Sequence, residues 1–566
     1  SLSGRVTETY GQLTMTSPQY EKIYSEDLIH TKGLVPNYHL TADLTQKQIR
    51  FLIKQVINLA GKIPDWLPDE TKERLSLINL ASALHKIHFP KNSKEISTAE
   101  KRLGFTELFL RQLKAQLIKR DLKTKRAFPL KFQAELTKDF VAKLPFKLTM
   151  AQKKAAWEIL QDLEKNTPMS RLLEGDVGSG KTLVAVMALL NTALNNKTGL
   201  LMVPTEILAE QHYQTISQLL APYNLKIGLL TRNHKLQNYQ DFEIIIGTHA
   251  LIQEKIKFTN LALVIIDEQH RFGVSQRQKL LDFNQVENLT PHFLSMTATP
   301  IPRSLALAIY GDLDLSIINQ APANRKKIIT KIITEERRPD AYNFIRAQIK
   351  AGQQAFVICP LIDESDKLGV KSVKAEHSKL DREIFPELKI GLLHGKLKAK
   401  EKEKIMADFL ANELNVLVST SVIEVGVDVP NATIMLIEGA ERFGLAQLHQ
   451  FRGRVGRSDQ QAYCFLFPSK EELTNQKTIA RLEALTKYHD GFSLAKIDLK
   501  LRGAGELYGL SQSGFPELQI ASLFDYENIK KAAEEAARLV NLDPSLKKYP
   551  LLKNKLGEWE DNVHLE

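Results

Sequence analysis

The sequence predicts an α/β protein built as two doubly wound parallel sheets in tandem, and three observations carry that prediction. From about residue 140 to 470, short β-rich runs ("GLLMVP", "FEIIIGTH", "LALVIIDEQH", "HFLSMTAT", "QQAFVICPLI", "NVLVSTS", "ATIMLIEGA") alternate with helical stretches. Strand–helix–strand order implies a parallel sheet covered by helices on both faces. At about 330 residues the region is too long for one typical doubly wound domain. The polar stretch "NQAPANRKK", 319–327, is then the hinge between two of them.

The elements follow in chain order. Residues 1–45 alternate weakly in polarity and hold Gly, Pro and Thr; they read as short strands and loops, too little to bury a core alone. Residues 46–130 carry apolar side chains at helical spacing in "TQKQIRFLIKQVINLAGKI" and "TAEKRLGFTELFLRQLKAQLIKRDLKTKR", with Thr45 and Thr98 as N-caps. The two sheets are assigned to 131–322 and 323–475. Residues 476–535 read as helical with a glycine-rich insert, "LRGAGELYGLSQSGFPE", and 536–566 form a tail without a clear motif.

Composition bounds the function. Of 566 residues, 43% are hydrophobic and 25% charged, the balance of a globular protein with real cores. No apolar run reaches the ~18 residues of a membrane helix, and no secretory signal is read at the start. The two cysteines, Cys359 and Cys464, lie in apolar runs. That argues against a disulfide framework or a cysteine-rich metal site and fits a reducing cytoplasm. The net charge of +11, from 77 Lys+Arg against 66 Asp+Glu, suits a polyanion partner, and equally the spread-out surplus of many soluble proteins. The chain opens at Ser1 and its first methionine is Met15, so a fragment, a processed form or an incomplete sequence is expected.

Chemistry concentrates in three places. "GDVGSGKT", 175–182, matches the G-x-x-x-x-G-K-[ST] phosphate loop. In such a loop the glycines let backbone N–H groups turn inward around phosphate oxygens. Gly175, Asp176, Val177, Gly178, Ser179 and Gly180 would form the cradle. Lys181 would reach the β/γ-phosphates and Thr182 the Mg²⁺, with a helix from about 182 presenting its positive end. The bland reading is a glycine-rich turn capping a helix; the preceding apolar "RLLE" and the following helix favour the phosphate loop. "LVIIDEQHRFG", 263–273, runs an apolar strand straight into two carboxylates. Alone, Asp-Glu at a strand end is usually a solvated edge. Behind a phosphate loop, Asp267 serves Mg²⁺ through its water shell and Glu268 polarises the attacking water. "QFRGRVGRS", 450–458, crowds Arg452, Arg454 and Arg457 together. This cluster suits a nucleic-acid patch, a solvated basic face, or the stabilisation of charge on a γ-phosphate from a second lobe.

Together these residues resemble the superfamily-two helicases. "EGDVGSGKT" is similar to motif I, "MVPTEILAEQH" to Ia, "DEQH" to II, "SMTATP" to III, "LLHGKLKAKEKEKIMADF" to IV, "LVSTSVIEVGVDVPNA" to V and "HQFRGRVGRS" to VI. The resemblance implies two RecA-like lobes with ATP and Mg²⁺ between them. Gln152 in "FKLTMAQKKA" would contact adenine, Asp428 would lie near the nucleotide, and Arg454 and Arg457 would be arginine fingers. Gln269, His270, Thr297 and Thr299 would pass the nucleotide state to the DNA track. Within that superfamily, "DEQHRFGVSQR" and "SMTATPIPRSLAL" resemble the RecG family of bacterial branch-migration helicases and the related transcription-repair coupling translocases. "DGFSLAKIDLKLRGAGELYGLSQSG", 490–514, resembles the translocation motif both share, with Arg481 and Gln512 matching its coupling arginine and glutamine. "HFPKN", "AEKRLGFTELFLRQ" and "SPQYE…LVPNYHLT" favour the RecG family.

The RecG resemblance implies an ATP-dependent duplex DNA translocase that unwinds and branch-migrates forks and Holliday junctions in recombination and repair. It further implies a cytoplasmic monomer in contact with single-stranded-DNA-binding protein. The alternative is a transcription-repair coupling type translocase, whose large extra domains have no counterpart here. An inactive DNA-binding scaffold is opposed by intact Lys181, Asp267, Glu268 and Arg457. Two departures stand out. Residues 1–45 have room for only the last strands of the OB-type wedge with which RecG proteins begin, followed by a helical linker over 46–130. "APANRKK" also lacks a glycine before Arg325, read as a linker variation.

Overall fold

The computed structural model describes residues 1–9, 12–20, 34–38, 40–41, 44–236, 238–248, 258–268, 289–298, 306, 311–320, 326–360, 370–420, 429–456, 459–502, 518–522 and 525–563. They fall into two compact units. One comprises Ser1–Arg120, Arg303–Asp312 and Phe515–Glu566; the other comprises Asp121–Pro302 and Leu313–Gly514.

In the first unit, strands β1 (Leu2–Thr9) and β2 (Gln12–Tyr20) pair antiparallel, with a register shift between Ser3 and Arg5. Helix Gln46–Val56 starts at Thr45, whose side chain accepts from Gln48 N in a full capping box. Thr98 does not cap a helix. It lies inside the long helix Ser93–Thr124 with its Oγ1 donating to Lys94 O at 2.7 Å. Asn92, six residues earlier, takes the cap by accepting from Glu95 N at 3.0 Å, because an amide oxygen there satisfies an otherwise orphaned donor. Phe105, Phe109 and Leu113 of the long helix are buried. The tail is helical too, as Tyr526–Leu542 and Pro550–Val563; the boundary set at 535/536 falls inside the first of these helices. Glu535, buried on it, accepts from Thr71 Oγ1 at 2.7 Å and from Arg538 at 2.9 Å, and also pairs with Arg74. A buried carboxylate needs such partners to offset its lost hydration, and these tie the tail to helix Asp69–Leu75.

The second unit holds two all-parallel sheets. The first contains β3 (Ser170–Gly175), β4 (Thr198–Met202), β5 (Ile227–Leu230), β6 (Ile244–Gly247), β7 (Leu261–Ile266), β8 (His292–Thr297) and β9 (Asp314–Ile318) in the order β5-β6-β4-β7-β8-β3-β9. The second contains β10 (Ile329–Ile332), β11 (Gln354–Ile358), β12 (Ile390–Leu393), β13 (Val416–Ser419), β14 (Ala432–Glu438) and β15 (Tyr463–Phe467) in the order β10-β15-β14-β11-β13-β12. Central strands are buried on both faces, β7 along its whole length, so they read as apolar runs rather than alternation. Helix Lys181–Leu194 is buried almost throughout, which removes the polar face a surface helix would show.

The parallel register sets the stage for chemistry. β8 lies between β3 and β7, pairing Glu174 with Thr297 and Ser295 with Ile266. The residues leaving β3 and β7 therefore emerge on one edge, at the carboxyl ends where open α/β sheets bind ligands. The proposed hinge, 319–327, is described only at 319–320 and 326–327.

Candidate functional site: a phosphate loop between two lobes

The loop after β3 turns on two glycines in the left-handed region, Gly178 at φ 73° and Gly180 at φ 88°. Gly180 is also the cap residue of helix Lys181–Leu194. A side chain at Gly180 would press on the Gln152 amide, and the positive φ itself calls for glycine there. Lys181, 9% exposed, donates from Nζ to the carbonyls of Gly175 at 2.7 Å and Asp176 at 2.9 Å. Thr182 follows in the first helical turn.

Gln152 braces this loop. Its Oε1 accepts from Thr149 N at 2.8 Å, and its Nε2 donates to Ser179 O at 2.8 Å. A primary amide has a second N–H and a second lone pair, so these bonds leave it capacity for a base.

The carboxylates of β7 stand across β8 from the loop. Asp267 N donates to Met202 O at 2.9 Å, and Asp267 Oδ1 accepts from Glu268 N at 3.0 Å. His212 of helix Glu206–Leu220 places Nε2 3.6 Å from Asp267 Oδ2. Burial disfavours the Asp267 charge, but His212 and the Lys181 ammonium outweigh it and hold the carboxyl below its usual range. Glu268 goes the other way: burial, then the neighbouring Asp267 charge, push it up, against Lys181, Arg454 and the Ala298 N–H. Glu268 also has φ 53°, a conformation that costs a non-glycine residue about 1–3 kcal/mol and gathers at functional sites. Two adjacent carboxylates pushed in opposite directions suit a division of labour between a persistent anion and a proton acceptor.

The second lobe supplies the other wall. Helix Leu445–Arg452 carries His449, whose Nε2 donates to Asp176 Oδ1 at 2.6 Å. Gly453 packs directly on Val177. Arg454 is buried, and its charge acts on Glu268, so a second-lobe arginine faces the first-lobe carboxylates. A cavity of about 250 Å³ opens beside the loop, lined in part by Asp176, Ile318, Gln320, Lys327, His489 and Phe492.

The structure thus brings together Gln152, the loop 175–182, Asp267, Glu268 and Arg454. Thr297 sits buried at the end of β8 between loop and carboxylates. Arg481 lies on helix Gln476–Lys487 and donates to Glu441 O. Gln269, His270, Thr299, Asp428, Arg457 and Gln512 lie outside the described residues. Sequence reasoning missed His212 and His449. Each is remote in the chain from the carboxylate it meets, and their only signal was that each stands at the edge of a quoted motif, His212 closing "MVPTEILAEQH" and His449 opening "HQFRGRVGRS".

Mg²⁺ is tested by the donor set. Among the described residues no group of three or more His, Cys, Asp or Glu could hold a metal. An ionised Asp267 and the Thr182 hydroxyl are oxygen donors next to a phosphate cradle, which fits a hard cation that keeps most of its waters and arrives on substrate phosphates.

Fold and site define a two-lobed ATP-hydrolysing helicase core. Residues 149–307 match the DEAD/DEAH box helicase family, 338–459 the helicase conserved C-terminal domain, and 488–561 the family of ATP-dependent DNA helicase RecG, domain 3, C-terminal. The chain is 44% identical to the ATP-dependent DNA helicase RecG of Synechocystis sp., over 98% of its own length and 68% of the relative's. For the RecG proteins of Thermotoga maritima and Bacillus subtilis the identities are 43% and 40%, over 90% and 93% of this chain and 66% and 78% of theirs. A solved structure of RecG bound to a three-way DNA junction superposes with a TM-score of 0.78 at 38% identity, covering 95% of this chain and 70% of that one. The chain belongs to the RecG family of ATP-dependent DNA helicases.

Proposed function

We propose that this protein uses ATP·Mg²⁺ to translocate on duplex DNA, and so unwinds and branch-migrates replication forks and Holliday junctions in recombination and repair. The carrying observation is the site between lobes: the loop on one lobe and Arg454 on the other converge on Asp267 and Glu268. Lys181 and Thr182 hold phosphates and metal, with Asp267 on the metal side and Gln152 and Asp428 at the nucleotide. When bound, Mg²⁺ neutralises charge on the phosphates. Glu268 accepts the proton of the attacking water. Arg454 and Arg457 stabilise charge on the transferred phosphoryl group, so hydrolysis loosens the lobes.

Thr297 and Thr299, with Gln269 and His270, relay the nucleotide state, and Arg481 and Gln512 turn lobe motion into a step along DNA. Residues 1–45 act as the last strands of an OB-type wedge and 46–130 as a helical linker. The protein works as a cytoplasmic monomer and meets single-stranded-DNA-binding protein at forks. Grip on DNA runs through phosphates, so binding weakens steeply with salt and shows little sequence preference. The similarity to a RecG structure on a three-way junction supports the branched substrate. Steady-state ATPase on matched single-stranded, linear duplex and three-way-junction DNA tests the reading. Strongest stimulation by the junction is expected. Equal stimulation by linear duplex overturns branch recognition, and no stimulation by any DNA overturns the translocase.

A further inference from the structure

The phosphate loop touches more than nucleotide. Asp176, its second residue, spends both carboxylate oxygens on elements far away in the chain. Oδ1 accepts from His449 Nε2 at 2.6 Å, and Oδ2 accepts from Gly491 N at 3.0 Å. Gly491 is the first residue of helix Gly491–Arg502, so the carboxylate sits on a helix N-terminus, where a negative charge meets unpaired N–H groups. The opposite side of this contact is held by Arg452. Its guanidinium donates to Leu485 O at 2.6 Å, Tyr488 O at 2.9 Å, His489 O at 3.0 Å and His449 Nδ1 at 2.8 Å. A guanidinium can only donate, so His449 Nδ1 is the acceptor and the proton facing Asp176 is on Nε2. His449 is therefore locked between the two.

We propose that Asp176 and His449 are positioning residues that tie the phosphate loop directly to residues 488–491, at the head of the segment that moves DNA; the proposal rests on the translocase reading given above. The input lies in the same loop. Lys181 Nζ donates to the carbonyl of Asp176 itself and to that of Gly175. A phosphate oxygen that takes those protons withdraws the ammonium from both carbonyls, leaving the Asp176 carbonyl its bond from Ser179 N at 3.1 Å, so the peptide carrying the Asp176 carboxylate loses one of its two holds and shifts more readily. His449 and Gly491 shift with it, because each is bonded to that carboxylate. Burial disfavours the Asp176 charge, but the hydrogen bonds from His449, Gly491 and Val177 hold its carboxyl at about 2, so the tie is anionic at every working pH. The route runs from phosphate to Lys181, to the Asp176 peptide, to Gly491, without passing through the arginines that face the γ-phosphate.

The test is the number of base pairs displaced per ATP hydrolysed, measured on one fork substrate with intact protein. His449→Phe and Asp176→Asn are each expected to lower that ratio at least about fivefold, the weight of one lost hydrogen bond of roughly 1 kcal/mol. His449→Gln, which keeps an N–H donor towards Asp176, is expected to recover part of it. If displacement and hydrolysis fall in equal proportion, so that the ratio is unchanged in all three variants, His449 and Asp176 only support the local fold and the inference is overturned. A wild-type protein whose ATPase ignores DNA sinks the translocase reading instead.

Discussion

The packing of Gly453 on Val177 between the lobes gives a sharp steric prediction. Gly453 has φ −68° and ψ −10°, a conformation that suits alanine as well as glycine. Gly453→Ala therefore carries no backbone strain, and its effect is purely one of space. A Cβ at 453 falls 2.9 Å from Val177 Cβ and 3.2 Å from each of its methyls. Val177 Cβ is rooted on the phosphate loop and cannot swing away as a long side chain would. Overpacking of this kind costs about 1–3 kcal/mol. The cost falls where the lobes meet and leaves each lobe's core intact. If closure precedes hydrolysis, kcat/KM for DNA-stimulated ATPase drops about 5- to 150-fold at roughly 1.36 kcal/mol per decade, while the thermal unfolding midpoint barely moves. Val177→Gly removes the obstructing atoms. In a double-mutant cycle it should return most of the loss, as a coupling energy of about the same size and opposite sign. Wild-type kinetics in Gly453→Ala, or a cycle with no coupling, would refute the contact as the site of closure.

The remaining predictions rest on single groups. Lys181→Ala is expected to abolish ATP hydrolysis with DNA affinity within about threefold of wild type by fluorescence anisotropy, since Lys181 points into the loop and DNA is gripped through many phosphates. Glu268→Gln should cut kcat by about 10²–10⁴, the usual contribution of a general base, and leave stability unchanged or raised, because it removes a charge that burial and Asp267 both oppose; normal turnover would exclude the general-base role. His292 gives a stability test. Its Nδ1 accepts from Met169 N at 3.0 Å, its Nε2 donates to Phe128 O at 2.9 Å, and burial lowers its pKa to about 4. The unfolded imidazole titrates near 6.5, so its contribution is complete above that pH and is lost as pH falls through about 4. About 1.6 kcal/mol should disappear between pH 6.5 and 5. Urea midpoints across that range check it, and a profile that His292→Gln does not flatten counts against the assignment.

Local chemistry made much of this protein legible in its sequence. Apolar runs of the right length announced most central strands of both parallel sheets, β4, β6, β7, β8, β11, β13 and β14, because a strand buried on two faces has no polar side to show; β5, β9, β10, β12 and β15 were not read. The phosphate loop was readable because its turn needs glycine at fixed positions: Gly178 and Gly180 both sit at positive φ. Thr45 was legible as a cap because its Gln48 partner lies three residues on. Thr98 misled for the same kind of reason, since a threonine inside a helix can bond back to its own backbone.

Tertiary structure decided what distant residues do to one another. Strand order alone put β8 between β3 and β7 and brought the Asp267–Glu268 pair opposite the loop. His212 and Lys181, remote in sequence, hold Asp267 down, and the burial that the fold imposes, with Asp267 beside it, pushes Glu268 up. The bonds from His449 and Gly491 to Asp176, like the packing of Gly453 on Val177, left no periodicity, cap or spacing to read. The chain determines its elements by short-range sterics and burial, whereas a contact across hundreds of residues exists only once both lobes have folded and met.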